Sequence, residues 1–304
     1  MGDTRVGLAP LSLIGSDAAS RRAAVELTER SGLDHLTMID HPSFRDGFGV
    51  DGLAFANSVL VLSDRLRCTT GAYLLPLRHP TLVARQLADL HSLAPGRFTF
   101  GIGVGGEDRD EVFSCGVDPA TRGRRADESL EVLRALLAGG PVHHEGEFFQ
   151  LRNVRMRPAP VEVPIVVGGR SDAALVRAGR HGDGWLGVWA SPERYRRAVT
   201  TVAEHADGAG RDADAQRHGL CLYCGVHEDP VRARALVASA MEGLYGITFE
   251  QFEHWTPSGT PEVIADFIEP YLEVGCEDVH LYAVGEDLDA EVGAAAEVRR
   301  LLCG

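Results

Sequence analysis

The stretch Arg97-Phe98-Thr99-Phe100-Gly101-Ile102-Gly103-Val104-Gly105-Gly106 decides the fold. It follows a turn at Pro95-Gly96, runs as an apolar, alternating segment, and then dissolves into glycines. That is the pattern of a buried strand whose carboxyl end opens into a loop almost without side chains. Such a loop lets the flat face or phosphate of a large ligand approach the backbone; a tight strand-to-helix turn would need the same glycines for its dihedrals. Glu107, Asp108, Asp110 and Glu111 follow at once and set polar chemistry beside the bare backbone.

Outward from this segment, strand-like and helical patterns alternate along the whole chain. Arg5 to Ala9, Leu36 to Ile39, Arg67 to Tyr73, Arg97 to Gly103, Val163 to Val167, Trp185 to Val188, Gly219 to Val226 and Val279 to Ala283 read as strands. Asp17 to Ser31, Gly52 to Leu62, Thr81 to Leu93, Arg124 to Leu137 and Ser171 to Arg180 read as helices, with others starting at Pro192, Pro230, Pro261 and near Asp289. Eight β–α units in 304 residues, with no linker between them, predict one α/β domain over residues 1–304, a (β/α)8 TIM barrel. A doubly wound sheet is the weaker alternative, because no first strand leads into G-x-G-x-x-G with an acid downstream. The segment 141–164 is too long for a connection, and with Phe148, Phe149 and Leu151 it is expected to form a hairpin or insertion over the barrel mouth.

The chain carries 44 acidic residues against 30 basic ones, a net charge of −14, and every basic residue is Arg. That balance argues against a nucleic-acid partner. Any anionic ligand must be held by arginine or backbone N–H groups, and lysine Schiff-base chemistry is excluded. No run approaches the roughly 18 apolar residues of a membrane span, and no signal peptide is evident, so a cytoplasmic protein is expected. Cys221 and Cys224 form the only C-x-x-C, but on a strand such positions face opposite ways, which favours buried thiols over a metal or redox pair. No metal site is expected; His143-His144-Glu145 are adjacent and point apart.

A barrel places its chemistry at the carboxyl ends of its strands. Those positions hold Asp40-His41-Pro42, then Thr70-Gly71-Ala72, then Arg78-His79-Pro80, the glycine loop with Glu107, and Gly168-Gly169-Arg170-Ser171. Asp183-Gly184-Trp185 begins the sixth strand. Asp40-His41 offers a titratable pair able to shuttle a proton near neutral pH. Gly168-Gly169 before a helix looks like an anion site, where free N–H groups and the helix dipole favour phosphate; Ser171 or Asp172 as a plain N-cap is compatible with it. Arg122-Gly123-Arg124-Arg125 reads as a solvated face, from which one arginine could meet a cofactor carboxylate.

In order and spacing, these motifs resemble the bacterial luciferase-like flavin/deazaflavin oxidoreductase superfamily, most closely its coenzyme F420-dependent branch. The resemblance rests on Gly32-Leu33-Asp34 to Asp40-His41, Gly96-Arg97-Phe98 to Gly105, Ala120-Thr121-Arg122-Gly123-Arg124-Arg125, Pro164 to Gly169 and Gly182-Asp183-Gly184-Trp185. It implies a barrel that binds F420, or alternatively FMN, in its mouth, with Asp40, Thr70, Gly71, Ala72, Gly103, Gly105, Gly168, Gly169 and Arg170 around the cofactor. It places a non-proline cis peptide at Gly71-Ala72, proton transfer on His41 or Glu107, and Phe44 on the substrate wall. The lysines that grip a sugar phosphate in some members have no counterpart here. The function implied is hydride transfer between F420 and a small or medium organic substrate, usually by a homodimer. The alternatives are an FMN-dependent monooxygenase served by a separate reductase, and a non-catalytic flavin-binding accessory protein.

Overall fold

The computed structural model describes residues 4–304. Eight parallel strands form the barrel: β1 (Arg5–Leu8), β2 (His35–Met38), β3 (Arg67–Thr70), β4 (Phe98–Gly103), β5 (Ile165–Gly168), β6 (Gly184–Val188), β7 (His218–Val226) and β8 (Cys276–Val284). They pair in chain order; β8 pairs with β1, and the ring closes where Ile165, Val166 and Val167 of β5 meet Phe100, Gly101 and Ile102 of β4. The expected (β/α)8 barrel is therefore the fold. No helix among the described residues is long and apolar enough to cross a membrane.

The helices are α1 (Ala18–Arg30), α2 (Gly52–Leu62), α3 (Pro80–Leu93), α4 (Arg109–Ser114), α5 (Arg122–Ala138), α6 (Asp172–His181), α7 (Pro192–Gly208), α8 (Pro230–Tyr245), α9 (Pro261–Leu272) and α10 (Leu288–Cys303). Their starts follow from local chemistry. Asp17, Asp51, Ser171, Ser191, Asp229 and Asp287 accept N–H bonds at the N-caps, and proline opens α3, α7, α8 and α9. Arg97 closes a terminus instead: its guanidinium donates to the carbonyls of Leu60 at 3.1 Å, Ser63 at 2.7 Å and Leu66 at 3.0 Å, where α2 has run out of partners.

Two expectations need correcting. The third strand stops at Thr70; a cis peptide joins Gly71 to Ala72, and the chain rejoins β4 only through Tyr73 and Leu74. The insertion is a hairpin (Pro141–Glu145 with Gln150–Arg155), but it packs along α5 rather than over the mouth. Glu128 of α5 accepts the N–H groups of Phe148 and Phe149, and the Arg125 guanidinium sits 4.6 Å from the Phe149 ring centre. Asp183 stands at the start of β6 as expected, where Arg134 and Arg211 grip its carboxylate, so it serves the scaffold.

The lower barrel interior is polar and neutral. His35 and His280 pack with ring centres 4.5 Å apart, and Thr37 Oγ1 lies 2.7 Å from His280 Nδ1. The rings fit because residue 7 is glycine: a Cβ there would come within 2.3 Å of the His35 ring. Burial holds His35 and His218 down to about 4 and His280 to about 3. As pH falls below 6.5 the unfolded chain therefore takes up protons that the folded one refuses, and stability drops until the folded values are reached. Glu291 acts in the opposite sense, because burial raises it to about 7 and costs stability as pH rises from 4.5. Three histidines outweigh one carboxyl. Urea unfolding should show stability rising with pH between about 4 and 6.5, and His35→Asn should flatten that slope by up to about 1.4 kcal/mol per pH unit.

Candidate active site

The carboxyl ends of the strands enclose a cavity of about 260 Å³. Ile39, Leu74, Val104 and Leu186 supply apolar walls; His41, Glu107, Arg170 and three tyrosines supply the polar groups. Gly71, Ala72, Gly103, Gly105, Gly168, Gly169 and Arg170 all line it, as expected from the sequence. Ala72, Gly103 and Gly168 converge closely. A Cβ on Gly103 would lie 3.3 Å from that of Ala72, and one on Gly168 would lie 3.6 Å from it. The wall they make has nothing larger than a methyl group on it, so it is smooth enough for a planar ring.

Two of the expected cofactor contacts lie behind that wall. Asp40 is fully buried; its carboxylate accepts from Gly52 N at 3.0 Å and Leu74 N at 3.0 Å and is clamped by both guanidinium nitrogens of Arg78. Thr70 is buried too, and its hydroxyl donates to Gly101 O at 2.8 Å. Neither lines the cavity. Both instead fix the backbone on which the cis Gly71-Ala72 peptide is carried, and Tyr282 completes the support with a 2.6 Å bond to Gly71 O.

His41 does face the cavity, and its partner is a residue that sequence reasoning passed over. Glu111 of α4, almost fully buried, lies 2.9 Å from His41 Nδ1 and also accepts the Ser43 N–H at 3.1 Å. A carboxylate only accepts, so Nδ1 carries the proton of the neutral imidazole and Nε2 is left to accept or exchange one. Glu107 lines the cavity but is exposed, at its rim. Phe44 lines nothing: it is buried behind His41, with ring centres 4.6 Å apart, so it backs the imidazole instead of forming a substrate wall. The segment 41–50 is a short hairpin, tied to the loop after β4 by Glu111 and by Asp108, which accepts Arg45 N at 2.7 Å.

At the opposite edge, Gly168, Gly169 and Arg170 lead into α6. Ser171 Oγ accepts Ala174 N, which leaves the preceding amides of the first turn without intrahelical partners. Gly169 has φ +127°, and a Cβ there would strike Ala174, so this corner admits no side chain. Trp185 Nε1 holds Gly169 O at 2.8 Å. Arg122 reaches the glycine loop, donating to Gly105 O at 3.1 Å.

The floor and far wall are aromatic, which the strand-end motifs did not reveal. Tyr223 and Tyr282 stack at 4.6 Å, the Tyr223 and Tyr245 hydroxyls lie 2.8 Å apart, and Trp189 packs on Tyr223 and Tyr245. Burial raises the phenols of Tyr223 and Tyr282 well above their ordinary range, so they stay protonated. Trp189 holds a left-handed backbone at φ +49°, unusual for a bulky residue, and its indole N–H has no partner. The signal was present in the alternation Gly219, Cys221, Tyr223, which puts one face of β7 into the barrel.

The scaffold and dyad assignments separate experimentally. Asp40→Ala removes the main partner of the half-buried Arg78 and strands the amides of Gly52 and Leu74, and should cost about 3 kcal/mol of stability in urea unfolding, with or without ligand present. Glu111→Gln should leave ligand affinity within about twofold and lower turnover by about tenfold or more, as loss of an oriented proton carrier demands.

Known proteins agree with this geometry. The chain matches the family described as Luciferase-like monooxygenase over residues 6–275. It is 37% identical over 163 residues to an uncharacterized protein of Mycobacterium bovis, a match covering 53% of this chain. The chain thus spans only 56% of the length of that relative. A 4-hydroxyprotoasukamycin monooxygenase of Streptomyces nodosus subsp. asukaensis is 30% identical over 275 residues, 84% of this chain and 71% of the relative. An F420-dependent glucose-6-phosphate dehydrogenase of Beutenbergia cavernae is 30% identical over 234 residues, 74% of this chain and 69% of the relative. Among solved structures, an F420-dependent secondary alcohol dehydrogenase superposes with a TM-score of 0.86 at 20% identity, covering 99% of this chain and 100% of its own. With the family match running over residues 6–275 and 30% identity across 84% of the chain, the chain belongs to the luciferase-like monooxygenase family.

Proposed function

We propose that this protein is an oxidoreductase that holds coenzyme F420 in the barrel mouth and acts on a small or medium organic substrate. The observation that carries this reading is one cavity combining a smooth backbone wall, a carboxylate-oriented histidine and an anion corner at a helix start. The likeness to F420-dependent glucose-6-phosphate dehydrogenases supports it. Their substrate is not carried over, because the lysines that grip a sugar phosphate in such members have no counterpart in this lysine-free chain. The reading extends to a homodimer in the cytoplasm, on the strength of the family resemblance.

The residues fit such a cofactor. Ala72, Gly103 and Gly168 leave room for a flat ring, and Ile39, Leu74 and Val104 exclude water from it. Arg170 and the first-turn amides of α6 hold the phosphate. When bound, the deazaflavin supplies a hydride donor or acceptor. His41 Nε2 then handles the accompanying proton, with Glu111 fixing the ring and balancing its charge, while Glu107 at the rim is the second proton carrier.

A second reading rests on the 30% identity to 4-hydroxyprotoasukamycin monooxygenase: reduced FMN from a separate reductase, with O2 as co-substrate. Titration of the purified protein decides between them. Micromolar binding of F420, with candidate alcohols bleaching its visible absorbance, is the expected result. Binding of FMN but not F420, with oxygen uptake on adding reduced FMN, overturns it. His41→Ala should bind F420 normally and lose about 10²–10⁴-fold in turnover.

A further inference from the structure

A second cavity, of about 310 Å³, lies between the first turns of α6 and α7 and meets the main one at Arg170, which lines both. Arg194 and Arg197 of α7 line it as well, against a single acid, Asp172. Arg194 donates to the backbone carbonyl of Arg170 at 3.0 Å, which holds the Arg194 guanidinium at the start of α6. Neither has a carboxylate partner among the described residues, and Arg197 meets only Glu193 of its own helix, at 3.6 Å. The Arg170 guanidinium lies 5.3 Å from the ring centre of Trp189, a residue of the main cavity, so Arg170 stands at the border of the two.

This arrangement is conspicuous in a chain with 44 acidic residues and 30 arginines, where an exposed arginine readily finds a carboxylate. Three cations gathered at the outer end of the anion corner form a site for more than one negative charge. Arg194 and Arg197 line only this second cavity, on the far side of Arg170 and the place assigned to a phosphate, so a ligand that reaches them continues past it. We propose that this cavity binds the carboxylates of the oligoglutamate tail that F420 carries beyond its phosphate. The assignment rests on the F420 reading of the main cavity. FMN ends at its phosphate and has nothing to place there, so the same arginines discriminate between the two cofactors. Each solvent-exposed ion pair is weak and screened by salt, and two or three together provide about three- to tenfold in affinity.

The test is a set of fluorescence titrations of the purified protein with F420 carrying several glutamates, with its glutamate-free phospholactyl form, and with FMN. The expected result is about three- to tenfold tighter binding of the glutamylated form, a preference that shrinks as salt is raised. In Arg194→Ala/Arg197→Ala the two F420 forms should bind alike, both at the wild-type affinity of the glutamate-free form, which also shows that the variant is folded. Equal affinities in the wild type, or a preference that survives the double substitution, overturns the tail site alone. If neither F420 form binds while FMN does, the F420 reading itself falls and the tail site with it.

Discussion

The buried carboxylate of Asp40 is the tie on which the site depends. It joins the end of β2, the first residue of α2, the start of the segment after the cis peptide and the guanidinium of Arg78. All four lie between residues 40 and 78, and the carboxylate draws these successive turns of the chain together at one point. Removing the charge would leave the half-buried Arg78 only the longer contact to Asp51, at 3.7 Å, and the Leu74 carbonyl, and would strand the amides of Gly52 and Leu74. Tyr282 reaches the same backbone from across the barrel through Gly71 O. The smooth wall at Ala72 is thus held from two sides, by an ion pair outside the barrel and a hydroxyl within it.

Much of the fold was legible because alternation and capping are local. Strand centres and helix starts fell where apolar period, proline and N-cap residues put them, and a count of eight units led to the barrel. Breaks inside elements were less visible. Arg67 to Tyr73 reads as one strand because nothing in Thr70-Gly71-Ala72 marks a cis bond; only the family resemblance placed it. The hairpin at 141–155 was misplaced because exposed aromatics look like a mouth covering, whereas Phe148 and Phe149 are satisfied by α5 and its arginines.

The site was legible as a set of loops and less so as a set of roles. Asp40 and His41 are adjacent, yet the alternation of side chains sends the acid outward and the imidazole inward. The partner of His41 hid among four acids within five positions, 107–111. Asp108 as an N-cap with Glu111 three residues on is a helix-start signature, which was there to be read. What no local rule foretells is that Glu111 turns away from its own helix to meet a hairpin about 70 residues earlier.

That crossing bond has a consequence for how ligands are met. The hairpin 41–50 and the loop after β4 are two long excursions, and Glu111 and Asp108 stitch them together through His41, Ser43 and Arg45. Their conformational freedom is surrendered when the chain folds, not when a ligand arrives. One side of the cavity is therefore preorganised, and less binding energy is diverted into ordering it. The aromatic side built on Trp189 is held differently, by ring packing on Tyr223, Tyr245 and Phe252 and by the Tyr223–Tyr245 hydroxyl pair, and the Trp189 indole N–H finds no partner among the described residues.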